Sequence, residues 1–389
     1  MNHGMKRILI CTSGFYGGGT EAALNAFLKQ LDEKKYQVDI CCIQKKGPFL
    51  QKVPPNVTVK ELLFTKPRYH FYASRVKEKN DNIKVILWKL CKRCFQLFHP
   101  IKAKQNTQYH FLLKKVIKDS TKYDIVLDFH GYGYFLTAYS ATLPAAKKAM
   151  WIHDENIHWV PKVDEYLPAF DRFYCVSIAV QKAFVEQYPQ YTDKTEVFYN
   201  MIDIPAVLEK AWQPLTDNRY TGEFKILSVG RLELQKGFDI AIQAAAILKE
   251  RHLQFRWYIL GEGNERAHLE KQLRLNELSE FILLGRTENP YPYIKTCNLY
   301  VQPSRHEGYP IAVIEARALH KPILASDIPS IQEQIIDGVN GYLVELTPEA
   351  LADKIEVLIE NPSLRNRVIA QLKTETIDFS GEFKKFENL

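Results

Sequence analysis

The sequence predicts an α/β protein built from two doubly wound, parallel-sheet domains. Three observations carry that expectation. The chain has 389 residues, 46% hydrophobic and 25% charged, which is long for one core and ordinary for a globular protein. Short apolar runs alternate with amphipathic helical stretches through both halves, as parallel strands joined by right-handed crossovers do. Between the two series, Asn200 to Gly222 loses strand periodicity and gathers Pro, Asp, Asn and Gly, which marks a seam.

Taken in order, KRILICT, YQVDICCI, NVTVKELLF, YDIVLDFH, KKAMWIHD and DRFYCVS read as strands of the first half. FKILSVG, FRWYILG, SEFILLG, CNLYVQP, KPILAS and NGYLVE do so in the second. Amphipathic stretches at 237–251, 264–275, 348–359 and 363–375 read as helices. The expected division is an N-terminal Rossmann-like domain over 1–200, a connector over 201–222, and a C-terminal Rossmann-like domain over 223–375. The last segment, 376–389, spaces aromatic residues among charges and fits a helix packing back on the N-terminal domain.

The opening MNHGMKRILICTSGFYGGG has an apolar run only from Ile8 to Cys11, so it reads as a first strand and not a leader. No stretch reaches the roughly 18–20 apolar residues that cross a bilayer. Seven cysteines (Cys11, Cys41, Cys42, Cys91, Cys94, Cys175 and Cys297) are odd in number and form no framework, which fits reduced thiols in a cytoplasmic setting. Cys91 and Cys94 make a CxxC, but in a basic apolar stretch without the βαβ context of a redox motif. Net charge is +7, yet residues 60–122 carry 16 Lys/Arg against 4 Asp/Glu, so the N-terminal half presents a basic face.

Four motifs could carry chemistry. In SGFYGGGTEAALNAF, Gly17, Gly18 and Gly19 let backbone approach a ligand and turn into a helix bearing Glu21. Gly17-x-Gly19-x-x-Ala22 also fits a loose dinucleotide fingerprint, but Gln44-Lys45-Lys46 after the second strand removes the acidic ribose partner of NAD and suits at best NADP. In ILSVGRLELQKGFD, a strand ends at Gly230, Arg231 follows, and Lys236 stands before a helix: two cations for a diphosphate. In HEGYPIAVIEARAL, amides around Gly308 and Tyr309 suit phosphate oxygens, Pro310 fits the first helical turn, and Glu307 and Glu315 suit sugar hydroxyls. Last, His130 and His153 each end a strand at the carboxyl edge where open α/β sheets bind ligands.

These residues resemble the retaining nucleotide-sugar glycosyltransferases of family four, which have the GT-B fold of two Rossmann-like domains facing across a cleft. The motifs that carry the resemblance are GGGTE with Glu21, SVGRLELQKG, LGEG at 260–263, LLGRTENPYPYI at 283–294, and the Glu307-x7-Glu315 pair. The resemblance implies that Arg231 and Lys236 bind the donor diphosphate, with Gly230 and Gly261 in the same wall. Glu307 would hold hydroxyls of the transferred sugar and Glu315 the ribose. Backbone from Gly308 through Tyr309, Pro310, Ile311 and Ala312 would meet phosphate, and Gly285 and Arg286 would border the base. His153 would stabilise charge developing beside the donor sugar, while Gly17, Gly18, Gly19, Glu21 and His130 line the acceptor side. The implied reaction transfers a hexose or N-acetylhexosamine from a UDP-sugar with retention, the leaving phosphate oxygen taking the acceptor's proton. No DxD occurs in the chain, so neither metal nor cofactor is expected.

On a helical wheel over Ile83–Phe98, Lys89, Lys92, Arg93 and Gln96 share one side, and Ile83, Leu87, Leu90, Cys94, Leu97 and Phe98 the other. A basic amphipathic stretch with aromatic flanks fits either a membrane surface or a helix packed on its own sheet. The first choice points to a lipid-linked glycan acceptor at the inner face of a bacterial cell membrane, in surface-polysaccharide assembly. Nucleic acid is not an expected partner, since no binding motif accompanies the charge. Three other readings stay open: a nucleotide-sugar epimerase of the same fold, an NADP-linked oxidoreductase, and a non-catalytic sugar-nucleotide-binding protein.

Overall fold

The computed structural model describes residues 5–66, 106–117, 120–130 and 135–389. The basic stretch 83–98, with Cys91 and Cys94, lies outside the described residues. The first sheet holds β1 (Lys6–Thr12), β2 (Tyr36–Cys42), β3 (Thr58–Glu61), β4 (Ile125–Asp128), β5 (Lys147–Ile152), β6 (Arg172–Cys175) and β7 (Thr195–Val197). Their order is β3-β2-β1-β4-β5-β6-β7, all parallel among the described pairs. The second holds β8 (Lys225–Val229), β9 (Arg256–Leu260), β10 (Phe281–Gly285), β11 (Leu299–Gln302), β12 (Ile323–Ser326) and β13 (Tyr342–Val344), in the order β10-β9-β8-β11-β12-β13.

Each run read as a strand in the sequence forms one. The strands are apolar through both pleats because helices cover both faces of each sheet. Phe27, Trp151 and Phe198 pack on one side of the first sheet, and Leu9, Val126 and Phe135 on the other. Trp257, Ile242 and Leu358 cover one side of the second, with Tyr258, Tyr300 and Val313 opposite. Strand β7 was not among the expected runs; three residues are too few to show a period.

The connector is less free than its composition implies. Asp203 caps a helix, Ile204–Lys210, by accepting from Ala206 N at 3.0 Å. Tyr220 then packs 4.5 Å from Tyr258 and donates its hydroxyl to Tyr293 O, so the second half of the connector belongs to the C-terminal core. At the other end of the chain, helix Ser380–Glu387 lies on the N-terminal domain. Phe386 meets Phe27 edge-on at 5.1 Å, and Lys385 donates to Val197 O at 2.7 Å. The carboxyl edges of the two sheets face each other, and every site residue described next stands on one of them.

Candidate active site

The C-terminal wall grows from two turns that are tied together. After β8 comes a tight turn, Leu234–Lys236, leading into helix Phe238–Glu250. After β11 comes Pro303–Tyr309. Arg305 grips Asp239 through both terminal nitrogens at 2.7 and 2.6 Å and donates to Leu234 O. Arg305 N also donates to Gln235 O at 2.8 Å, and Gln235 Nε2 donates to His306 O at 3.0 Å. This lacing sets Lys236 Nζ 2.5 Å from Glu307 Oε1. The same oxygen accepts from Ser304 Oγ at 2.6 Å and Gln302 Nε2 at 3.2 Å. Glu307 Oε2 makes no hydrogen bond among the described residues. The pair is largely buried, Glu307 more deeply than Lys236, and the hydrogen bonds from Ser304 and Gln302 complete its geometry.

Glu315 lies in helix Ile311–Ala318, also buried. Tyr291 donates its hydroxyl to Glu315 Oε1 at 3.1 Å. Burial pushes the carboxyl up to about 7, opposed by that hydrogen bond and by Lys52. Pro310 stands at the N-cap in extended conformation, one residue earlier than expected. Asn200 Nδ2 holds Tyr309 O at 3.2 Å and Gln334 Nε2 holds Pro310 O at 3.4 Å. The carbonyls of the loop are thus engaged, while the first-turn amides of Ile311 and Ala312 have no intrahelical acceptor.

The N-terminal wall is built differently. His153 follows β5, is 7% exposed, and its Nε2–H donates to Phe129 O at 2.7 Å. Burial lowers its pKa to about 4, so the ring is neutral at physiological pH. His130, after β4, is held down to about 3 by burial and then by His153. Charge developing near His153 therefore meets a neutral dipole and not an imidazolium. Gly18 caps helix Gly19–Gln30, and its N–H donates to Glu21 Oε2 at 2.9 Å. Burial raises the Glu21 carboxyl, opposed by amide hydrogen bonds and by Arg231 and Arg286 of the facing domain.

The walls touch. A Cβ on Gly308 would lie 1.9 Å from His153 O, so only glycine lets this loop lie flush on that carbonyl. Glu333 accepts from Ile178 N and Ala179 N at 2.9 and 3.0 Å, capping an N-terminal-domain helix from the other domain. Arg286 donates across the cleft to Tyr16 O at 2.8 Å. Arg231 is exposed.

The structure thus gathers Arg231, Lys236, Glu307, Glu315, the 308–312 backbone, His153 and Glu21 around one cleft. One of these residues, and Arg286 beside them, differ from expectation in what they touch. Lys236 is already paired with Glu307, and Arg286 is engaged with Tyr16 O. Sequence reasoning missed Gln302, Ser304, Tyr291, Asn200 and Gln334. A signal existed for the first two: polar residues closing or just following an otherwise apolar strand, five and three residues before Glu307.

Two parallel-sheet Rossmann-like domains with facing carboxyl edges define the GT-B class. The chain is similar over 98% of its length, with TM-score 0.70 and 18% identity, to the Anabaena Alr3699/HepE structure in complex with UDP-glucose, 98% of which is covered. More particularly, residues 216–374 match the family model described as Glycosyl transferases group 1. A stretch of 159 residues is 34% identical to an uncharacterized glycosyltransferase of Methanocaldococcus jannaschii, covering 40% of this chain and 44% of that one. Another of 191 residues is 33% identical to the N-acetylgalactosamine-N,N'-diacetylbacillosaminyl-diphospho-undecaprenol 4-alpha-N-acetylgalactosaminyltransferase of Campylobacter jejuni, covering 48% and 50%. The chain therefore spans half or less of the length of these relatives. Among the described residues, no helix is long and apolar enough to cross a membrane.

Proposed function

We propose that this protein is a retaining glycosyltransferase that moves a hexose or N-acetylhexosamine from a UDP-sugar to a hydroxyl of a lipid-linked glycan. The observation that carries this reading is the buried Lys236–Glu307 pair beside unsatisfied helix amides and exposed Arg231. A diphosphate joined to a sugar is the ligand that uses all three. The diphosphate lies between Arg231, Lys236 and the amides of Ile311 and Ala312. Glu307 Oε2 accepts from hydroxyls of the transferred sugar, and Glu315, as carboxylate, from the ribose. Gly285 and Arg286 border the base.

As the anomeric C–O bond to the diphosphate breaks, negative charge grows on the leaving oxygen. Fixed cations and amides in a closed site are worth ~3–4 kcal/mol per donor group against that charge. The acceptor hydroxyl arrives on the same face, its oxygen bonds to the anomeric carbon, and its proton passes to the leaving phosphate oxygen. Neutral His153 orients the sugar, and cleft closure keeps water out. The assignment uses no metal ion, since residues supply the positive charge.

UDP as the nucleotide is supported by the UDP-glucose complex of the Anabaena protein, and a lipid-linked acceptor by the diphospho-undecaprenol in the Campylobacter enzyme's name. The basic stretch 60–122 would place the enzyme against the inner face of a membrane, as a peripheral protein of bacterial surface-polysaccharide synthesis. The test is incubation with a panel of labelled UDP-sugars and membrane lipid extract, followed by NMR of the product's anomeric proton. Expected are acceptor-dependent UDP release and a glycoside of the donor's own anomeric configuration. An altered sugar still joined to UDP, or stabilisation by NADPH and not UDP, overturns the reading.

A further inference from the structure

The turn after β2 is laced onto the Gly-rich turn after β1. Phe15 N donates to Lys46 O at 3.0 Å, Phe49 N to Phe15 O at 3.1 Å, and Gln44 N to Ser13 O at 3.1 Å. The short helical turn Pro48–Lys52 is therefore a fixed extension of the N-terminal wall. Its Phe49 packs over Gly17, whose φ is +88°. A Cβ there would lie 3.1 Å from the Phe49 ring and 2.3 Å from Arg286 Nη2. Phe49 of one domain and Arg286 of the other thus meet over Gly17 and close the base end of the cleft.

Lys52 ends this turn. Its Nζ stands 4.0 Å from the Phe49 ring centroid, a cation–π contact that fixes where the ammonium sits. The charges it feels are Lys210, Glu288, Glu315 and Arg286. Three of these side chains, Lys52 included, are cationic and two acidic, so Lys52 stands in a cluster of mixed charge with two other cations nearby. Partial desolvation, then repulsion from Lys210, hold Lys52 below its usual pKa. An anion at this spot would relieve that repulsion.

We propose that Lys52 is a donor-contact residue, its ammonium reaching across the cleft to the ribose–diphosphate junction of the nucleotide beside Glu315. The N-terminal domain then grips the donor as well as the acceptor, so that nucleotide binding and cleft closure are one event. This assignment rests on the UDP-sugar reading above. It gives Lys52 a second effect. Glu315 must be a carboxylate to accept ribose hydroxyls, and the groups that act on it are Tyr291, Tyr300 and Lys52. Of these, Lys52 is the cation, and it favours the charged form.

The experiment is calorimetric titration of the full chain with UDP between pH 6 and 8, using wild type, Lys52→Met and Lys52→Arg. Lys52 is exposed, so all three should melt at the same temperature without ligand. Loss of a charge-assisted contact predicts about tenfold weaker binding for the Met variant, with the Arg variant near wild type. Affinity should rise with pH, and the midpoint of that rise should move to higher pH in the Met variant alone. Equal affinity and an equal midpoint in wild type and Met variant overturn the Lys52 assignment and leave the donor reading standing. If wild type binds no UDP, the donor reading itself fails and Lys52 falls with it.

Discussion

The C-terminal wall sets a cation against a carboxylate, whereas the N-terminal wall buries two histidine rings. Lys236 and Glu307 have side chains only 15% and 6% exposed, and each is the other's partner, with Ser304 and Gln302 completing the set around the shared oxygen. His130 and His153 are lowered to about 3 and about 4, in both cases chiefly by burial, which leaves both neutral. The difference teaches what kind of ligand fits. Under the proposed donor reading, one wall suits a concentrated anion flanked by hydroxyls, and the other a neutral group that is oriented but not ionised.

The first way to break that contrast is to remove one member of the pair. Lys236→Met should lower the transfer rate about 10²–10³-fold. It should also destabilise the fold by about 3 kcal/mol, since Glu307 is left buried without its cation, with hydrogen bonds from Ser304 and Gln302 alone. Adding Glu307→Gln should restore stability in urea unfolding but not activity. If stability stays low in the double variant, the pair is not what holds this turn.

A second test moves the walls apart. Gly308→Ala puts a methyl group against His153 O, and misplacement by about 1 Å should cost about 10²-fold in kcat. UDP affinity of the C-terminal wall should suffer far less. A variant with normal kcat would show that the closed contact is dispensable.

A third test concerns Glu315, whose hydrogen-bond partner is the Tyr291 hydroxyl. Its folded pKa, about 7, lies above its ordinary 4.5, so the stability it contributes is fully present below pH 4.5 and lost as pH rises through 7. Glu315→Gln should therefore match wild type near pH 4.5 and exceed it at pH 8 by on the order of 3 kcal/mol. In wild type, kcat/KM for donor should rise through pH 7, a limb absent from Glu315→Gln and kept in His153→Gln. A limb that instead vanishes with His153 would mean that the histidine ionises after all.

What the sequence makes legible follows from period and spacing. Both sheets were readable because two-sided burial writes continuous apolar runs, as in Ile226–Val229 and Trp257–Leu260. The acids were readable because Glu307 and Glu315 bracket a helix start, and Lys236 because it precedes another. Tyr220 was not, since an aromatic in a loop has no period to betray its partner Tyr258. Nor were Glu333, Asn200 and Lys52, whose meaning lies in a meeting of two domains that no local spacing encodes. The neutrality of His153 was hidden for the same reason, because it depends on how deeply the ring is covered.

The placement of Phe383 and Phe386 against Phe27 bears on biogenesis. Residues made among the first 30 of the chain find the last part of their aromatic cover only when those near 386 leave the ribosome. The first domain therefore waits, with an apolar surface open, until the second has been synthesised, and a chaperone would find its longest opportunity in that interval.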